Sequence, residues 1–314
     1  MRFFITIVYF LTLLKGAFLE ERKKIKIGVT LPFKDELWEF YGKQFELKKD
    51  ENMEIEVTYS YKSVSIQQAD SERFIASGID VLVIAAQDSK SPKNIVEYCN
   101  LLGVKVISFI RKIDNIKVAA YIAPDNFQAG VLQGEFINER RKILGDSIPN
   151  GLVILSGPKT DKNSDDFLDG ASQTYESSKF EVIGDKVFYV DDWSADFARK
   201  IAQNFTEEEK NKIGYVIAAN DDIALGFYEG LNKTNYVIAS HDNTHLKVQK
   251  LCEYLGENFM TVDLDQTISV EKTIAATRLL AENKPISFNN IEDNGSVKQP
   301  TIRHEVTKKY CDPK

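Results

Sequence analysis

The sequence predicts an α/β protein built as two doubly wound lobes of parallel sheet, and periodicity and turn chemistry both point there. Short runs rich in Val and Ile recur along the 314 residues, with amphipathic stretches of helical length between them. Strands in a parallel sheet read as continuous apolar runs because helices cover both faces. Ser77-Gly78-Ile79-Asp80 and Leu102-Gly103-Val104 place glycine where a helix must end and the chain must turn into the next strand. That turn needs a residue at ease in left-handed backbone.

Taken in order, strands are expected over residues 25–31, 55–59, 81–86 and 104–109, then over 152–155, 181–190, 213–218 and 236–240. Crossover helices are expected over 67–77, 92–102, 127–144, 194–205, 223–231 and 244–255. The first four strands precede Pro124 and the last four follow Gly151, so each group forms one lobe. The expected division is 1–24 as an export signal or membrane anchor, 25–124 plus 263–286 as the N-terminal lobe, and 125–262 plus 287–314 as the C-terminal lobe. The chain then crosses between lobes near Pro124-Asp125, near Val262-Asp263 and over 285–289.

Residues 1–24 begin with Met1-Arg2 and an apolar run from Phe3 to Leu14, the arrangement of an export signal. Lys15 stands three residues back from a cut after Ala17, where a small residue is wanted, and the segment lacks the cysteine a lipid anchor would use. If it stays uncut, the run from Phe3 to Leu19 is marginal against the roughly 20 apolar residues a bilayer requires. A cleaved signal and a retained anchor both remain open. Either places the body outside the cytoplasm.

Composition excludes several functions. At 43% hydrophobic and 28% charged, with no other long apolar run, the body is soluble and large enough for two domains. A net charge of −7 argues against a nucleic-acid partner, which needs a clustered positive surface. Cys99, Cys252 and Cys311 are too few for a disulfide framework or a zinc site, although a Cys252 to Cys311 bridge is open to an exported protein. His241 and His245 have i, i+4 spacing without the Glu of a zinc-protease motif. GxSxG, Walker and GxGxxG motifs are missing. Neither catalysis nor a metal or cofactor is expected.

In open parallel sheets ligands bind beyond the carboxyl ends of the strands. Those positions hold Leu37-Trp38, Gln87-Asp88, Arg111, Asp125-Asn126, Asp161 to Asp165, Asp192-Trp193, Asn220-Asp221, Asp242 and Asp263 to Gln266. Amides, carboxylates and a guanidinium can pair hydroxyls while flat rings cover C–H faces, so the mixture suits a small polyol.

Several segments carry a resemblance: Lys26-Ile-Gly-Val29, Gly78-Ile-Asp-Val-Leu-Val-Ile84, Gly103-Val-Lys-Val-Ile-Ser-Phe-Ile-Arg111, Tyr121-Ile-Ala-Pro-Asp-Asn126 with Gly130 to Gly134, Ile217-Ala-Ala-Asn-Asp221 and Met260-Thr-Val262. In that order they resemble the periplasmic-type (type I) monosaccharide-binding proteins of the ribose and xylose class, over nearly all of residues 25–308. Trp38, Asn163 and Asp191-Asp192-Trp193 match xylose-binding members best. The resemblance implies that Trp38 and Trp193 sandwich a sugar ring, that Arg111 holds its oxygens, and that Asn163, Asn220 and Asp242 bond hydroxyls. It also implies lobe closure over the ligand and presentation of the closed form to a membrane partner, either an ABC permease or a sensor histidine kinase. The same fold forms the effector domain of LacI-like repressors, which would need a DNA-binding unit ahead of Ile25.

Leu37, Ile110, Leu168 and Leu264 stand where the family usually has polar or basic residues. Each unpaired hydroxyl facing such a position costs about 1 to 3 kcal/mol. This puts ordinary pentose affinity in question, unless the nearby Asp161, Asp165, Asp263 or Asp265 supply the missing bonds. Each site residue also has a plainer role. The indoles can serve packing alone, Arg111 can pair with Asp114, Asn163 can lie in a solvated turn, Asn220 and Asp221 can cap a helix, and Asp242 can cap the helix near Thr244.

Overall fold

The structure is a computed structural model and describes residues 24–175, 179–294 and 297–311. The export segment expected over 1–24 lies, but for Lys24, outside the described residues. The chain alternates strand and helix: β1 (Ile25–Leu31), α1 (Glu36–Leu47), β2 (Met53–Tyr59), α2 (Val64–Ala76), β3 (Val81–Ile84), α3 (Lys93–Leu102), β4 (Lys105–Phe109) and β5 (Ala120–Pro124) make the first lobe's opening run. Gly103 ends α3 at φ 77°, the left-handed cap its position predicts.

The second lobe follows with α4 (Asn126–Leu144), β6 (Gly151–Ser156), α5 (Asn163–Tyr175), β7 (Glu181–Val182), β8 (Phe188–Tyr189), α6 (Ala195–Asn204), α7 (Glu207–Lys212), β9 (Ile213–Ala218), α8 (Asp221–Leu231), β10 (Val237–His241), α9 (His245–Leu255) and β11 (Phe259–Asp263). The single strand expected over 181–190 is split into β7 and β8, both short and both pairing with β6. Polar Gly184-Asp185-Lys186 interrupts its apolar pattern.

After β11 the chain returns to the first lobe as α10 (Gln266–Ala281), which packs on α1, β4 and β5. The expected third crossing at 285–289 is not where the chain changes lobes. β12 (Asn290–Asn294) and β13 (Val297–His304) still belong to the first sheet, whose order is β12-β13-β5-β4-β3-β1-β2. β13 runs parallel to β5, from Thr301 beside Tyr121 to His304 beside Pro124. The crossing falls instead at Glu305-Val306, before β14 (Thr307–Tyr310) joins the second sheet antiparallel to β11. Residues 290–304 were hard to read as strands because they are polar and contain Pro300. That proline precedes the register with β5, so β5 does not require its missing N–H.

The second sheet runs β14-β11-β10-β9-β6-β7. Apart from β12 and β14, neighbouring strands are parallel. Their buried faces are covered by helices in separate clusters, Trp38, Tyr41, Phe45 and Phe109 on one side of the first sheet and Phe136, Tyr175 and Tyr215 on one side of the second. Helices α4 and α5 lie unusually close, because Gly130 faces Phe167 O and Gly170 faces Phe127 O with no room for a Cβ on either. This close approach sets where the first turn of α5 points.

The Cys252 and Cys311 thiols are joined, tying the end of β14 to α9 across 59 residues of sequence. Reduction should therefore lower stability by roughly 2 to 4 kcal/mol, measured by urea unfolding with and without reductant. A methyl group at position 170 would overlap backbone. Gly170→Ala is expected to destabilise by roughly 2 to 3 kcal/mol in the same assay.

Candidate functional site

A cavity of about 450 Å³ opens between the lobes, beyond the carboxyl ends of β1, β4, β6, β9 and β10. The first lobe supplies Trp38 because Asp35 caps α1, accepting the Trp38 backbone N–H at 2.9 Å. The indole on that first turn is buried, packed edge-on to Phe33 and tilted against Tyr41.

Arg111 enters from a strained turn. Ile110 has φ 59°, a left-handed value that a β-branched residue rarely adopts, and Arg111 N donates to Phe109 O at 2.6 Å to close the bend. Such backbone costs about 1 to 3 kcal/mol and persists only where its surroundings hold it. Here Ile110 N donates to Ile122 O, while Ile110 O accepts from Tyr121 Oη at 3.1 Å and from Asn163 Nδ2 at 2.8 Å. The guanidinium, 6% exposed, lies over the Phe33 and Trp38 rings. Its Nη1 donates to the Ala86 and Gln87 carbonyls. Its Nε sits 3.3 Å from Asp161 Oδ2 of the second lobe. Burial pulls the guanidinium pKa down from its usual value, and the carboxylates Asp161, Asp35 and Asp192 oppose that. Arg111 is thus a buried bridge rather than the surface partner of Asp114.

Asn163 opens α5 and is also engaged: besides its bond to Ile110 O, its Oδ1 accepts from Tyr121 Oη at 3.1 Å. Asn220 caps α8 by accepting Ile223 N–H at 2.8 Å, which leaves its Nδ2 without a partner among the described residues. Trp193 follows Asp192 with both residues in left-handed backbone, and its ring packs edge-on to Phe167 and His241. All six candidate residues, Trp38, Arg111, Asn163, Trp193, Asn220 and Asp242, border the cavity.

Asp242 does not cap the helix near it. Thr244 holds that position, and the Thr244 N–H and hydroxyl both donate to Asp221, which also receives the Ser240 and Thr261 hydroxyls. Burial pushes the Asp221 carboxyl up to about 6 against the pull of those donors. Burial, then repulsion from Asp221 and Asp222, holds the Asp242 carboxyl far above the ordinary range. A carboxyl that keeps its proton can donate as well as accept. Beside it His241 stacks on Phe167 at 3.7 Å, and burial lowers its pKa to about 3, so the ring stays neutral. Its Nδ1 faces Gln133 Nε2, which places the ring proton on Nε2, 3.9 Å from Asp242 Oδ1.

Of the four apolar departures, Leu37, Ile110 and Leu264 border the cavity. Leu168 does not. Its neighbour Phe167 faces the cavity, while Leu168 packs against the second-lobe core. Asp161 lines the site, whereas Asp165, Asp263 and Asp265 do not. Cavity residues outside the six candidates include Phe33, Phe167 and His241, and also Asn126, which stood among the strand-end positions without being singled out. His241 ends a strand and His245 starts a helix, so their spacing is not that of one helix face. His245 borders a separate groove beside the disulfide. Among the described residues no group of three or more His, Cys, Asp or Glu side chains could hold a metal ion.

Asn126 Nδ2, Asp161 Oδ2 and Trp193 Nε1 are buried and make no hydrogen bond among the described residues. Asp161 Oδ2 is near Arg111 Nε but out of line with its N–H, so the contact is ionic and leaves the oxygen open. Buried polar atoms without partners are rare, and these three, unlike others elsewhere in the fold such as Asn138 Oδ1 and Tyr236 Oη, border one cavity.

Two wound lobes with a polar and aromatic cavity at their shared rim define a bilobal solute-binding class. A family model described as periplasmic binding protein domain matches residues 27–279, and the chain belongs to that family. Among its relatives, the D-xylose-binding periplasmic protein of Escherichia coli is 30% identical over 67% of this chain and 63% of its own length. The D-xylose-binding periplasmic protein of Haemophilus influenzae is 26% identical over 87% of this chain and 82% of its own. A solute-binding protein from Clostridium phytofermentans with bound β-D-glucose shares the fold at TM-score 0.81 and 22% identity, covering 91% of this chain and 94% of that one.

The Asp221 carboxyl makes a pH prediction. Between about pH 4 and 6 the folded chain retains a proton there that the unfolded chain releases. Its contribution to stability is therefore present at low pH and lost as pH rises through about 6. Relative to Asp221→Asn, the wild type should lose roughly 2 to 3 kcal/mol of unfolding free energy between pH 4 and pH 7, measured by urea denaturation.

Proposed function

We propose that this protein captures a monosaccharide between its lobes outside the cytoplasm, and that the closed form is what a membrane partner reads. The observation that supports this best is the set of unpartnered buried atoms Asn126 Nδ2, Asp161 Oδ2 and Trp193 Nε1 around one cavity of about 450 Å³. The set holds donors and an acceptor, which is what a hydroxylated ligand pairs with, and the rings of Trp38, Trp193 and Phe167 suit its C–H faces. Cavities of this size are typical of small-ligand sites. The xylose-binding relatives make a pentose the first ligand to try.

Closure already links the lobes through protein groups. Ser89 N donates to Thr160 O at 3.0 Å, Lys162 N donates to Ser89 Oγ at 3.0 Å, and Lys247 Nζ joins Glu36 of α1 to Asp222 of α8. Three crossings near Asp125, Leu264 and Glu305 can act as the hinge. Two membrane partners fit the closed form. An ABC permease would import the sugar. A sensor histidine kinase would register it, a reading favoured by the shared fold of the fructose-binding periplasmic domain of a hybrid two-component system, at TM-score 0.74. Stimulation of ATP hydrolysis by a reconstituted permease, or of kinase autophosphorylation, tells them apart.

Calorimetric titration with pentoses, hexoses and polyols should show saturable binding to at least one. Trp193→Ala should weaken it at least a hundredfold, whereas His245→Ala, outside the cavity, should leave it unchanged. Loss of binding in the histidine variant with retention in the tryptophan variant would refute this assignment.

A further inference from the structure

The cavity is chemically lopsided. On the first-lobe side its wall is the buried Phe33, Trp38, Ile110 and Arg111 with the half-buried Leu37, and the buried Leu264 joins it from the second crossing. Arg111 is the polar group of that wall, and it is largely engaged: Nη1 by the Ala86 and Gln87 carbonyls, Nε by Asp161, and its faces by Phe33 and Trp38. Nη2 alone is left without a partner among the described residues. The other first-lobe polar groups, Lys34, Asp35, Tyr61 and Lys62, are exposed at the mouth. There Lys62 pairs with Asp192 across the gap and Asp35 caps α1. The opposite wall is where bonding capacity stands open, at Asn126, Asp161, Trp193, Asn220 and Asp242.

We infer that the ligand is a monosaccharide with one edge stripped of hydroxyls, a deoxy sugar or an O-methylated sugar, whose bare edge packs on Leu37, Ile110 and Leu264 while its hydroxyls face the second lobe. This rests on the proposal that the cavity holds a sugar. A hydroxyl turned toward the leucines and the isoleucine loses its water and finds no partner, which weakens binding roughly tenfold to a hundredfold. A methyl or methylene group there meets only carbon and is favoured. The apolar residues are not filler from a collapsed site. The Ile110 turn is held in its strained form by bonds to Ile122, Tyr121 and Asn163, so this side chain is presented to the cavity by design of the backbone around it.

The test is calorimetric titration with matched pairs: galactose with 6-deoxygalactose, mannose with 6-deoxymannose, ribose with 2-deoxyribose, and xylose with its mono-O-methyl ethers. In at least one pair the deoxy or O-methyl member should bind tenfold or more tighter than its parent. If every parent binds as tightly or more tightly than its partner, the inference falls while sugar capture stands. If no member of any pair binds, sugar capture falls and takes the inference with it. Two variants check the cause. Ile110→Asn suits the left-handed backbone and adds a donor and an acceptor, and Leu264→Gln adds a donor and an acceptor at the crossing. Each, once shown folded by its melting curve, should shift the ratio toward the hydroxylated parent about tenfold. An unchanged ratio in both would overturn the assignment of the bare edge to these residues.

Discussion

The buried bridge around Arg111 is the constraint on which the closed arrangement depends. A guanidinium removed from water needs a carboxylate and carbonyls in fixed places, and here they come from both lobes: Ala86 and Gln87 from the first, Asp161 from the second. The neighbouring Ile110 turn serves the same end. Its strained backbone turns Arg111 inward and offers its carbonyl to Asn163 at the start of α5. Because Gly130 and Gly170 let α4 and α5 approach closely, the first turn of α5 can reach that carbonyl. Helix packing, turn strain and charge burial are therefore one coupled arrangement.

That coupling divides the polar residues into those that hold the lobes and those that remain for a ligand. Arg111 and Asn163 chiefly hold. Asn126, Trp193, Asn220 and Asp242 face a cavity with bonds unmade. Burial, with repulsion from the neighbouring Asp221 and Asp222, raises the Asp242 carboxyl well above the ordinary range, while Asp161, Asp192 and Asp222 on the same wall are paired with Arg111, Lys62 and Lys247. Beside Asp242, His241, its pKa lowered to about 3 by burial, adds a neutral ring that can bond a hydroxyl.

Much of the fold was legible because buried parallel strands and their crossover helices carry strong periodic signals. The strand at Ile25–Leu31 and the glycine cap at Gly103 are where the pattern places them. The hairpin of β12 and β13 was not legible: Asn290–Asn294 is polar and Val297–His304 contains a proline, so neither offers a period to detect. Its pairing with β5 is decided by contacts across almost two hundred residues of chain, and this moved the third crossing from 285–289 to Glu305-Val306. In the site, residues after strand ends were legible from the rule that ligands bind there. Asn126 stood among those positions without being singled out, and Phe167 on the second turn of α5 lay outside the rule.

By itself the sequence determined the alternation of elements, the acidic net charge of the chain and the set of residues at the strand ends, since these follow from side-chain chemistry read a few positions at a time. Only the tertiary structure decided which of those residues are free. Whether Asn163 bonds a sugar or Ile110 O, and whether Leu168 or Phe167 faces the cavity, depends on partners brought together from distant segments. A hydrogen bond is satisfied or left open by atoms within about 3 Å, and local sequence does not contain that distance.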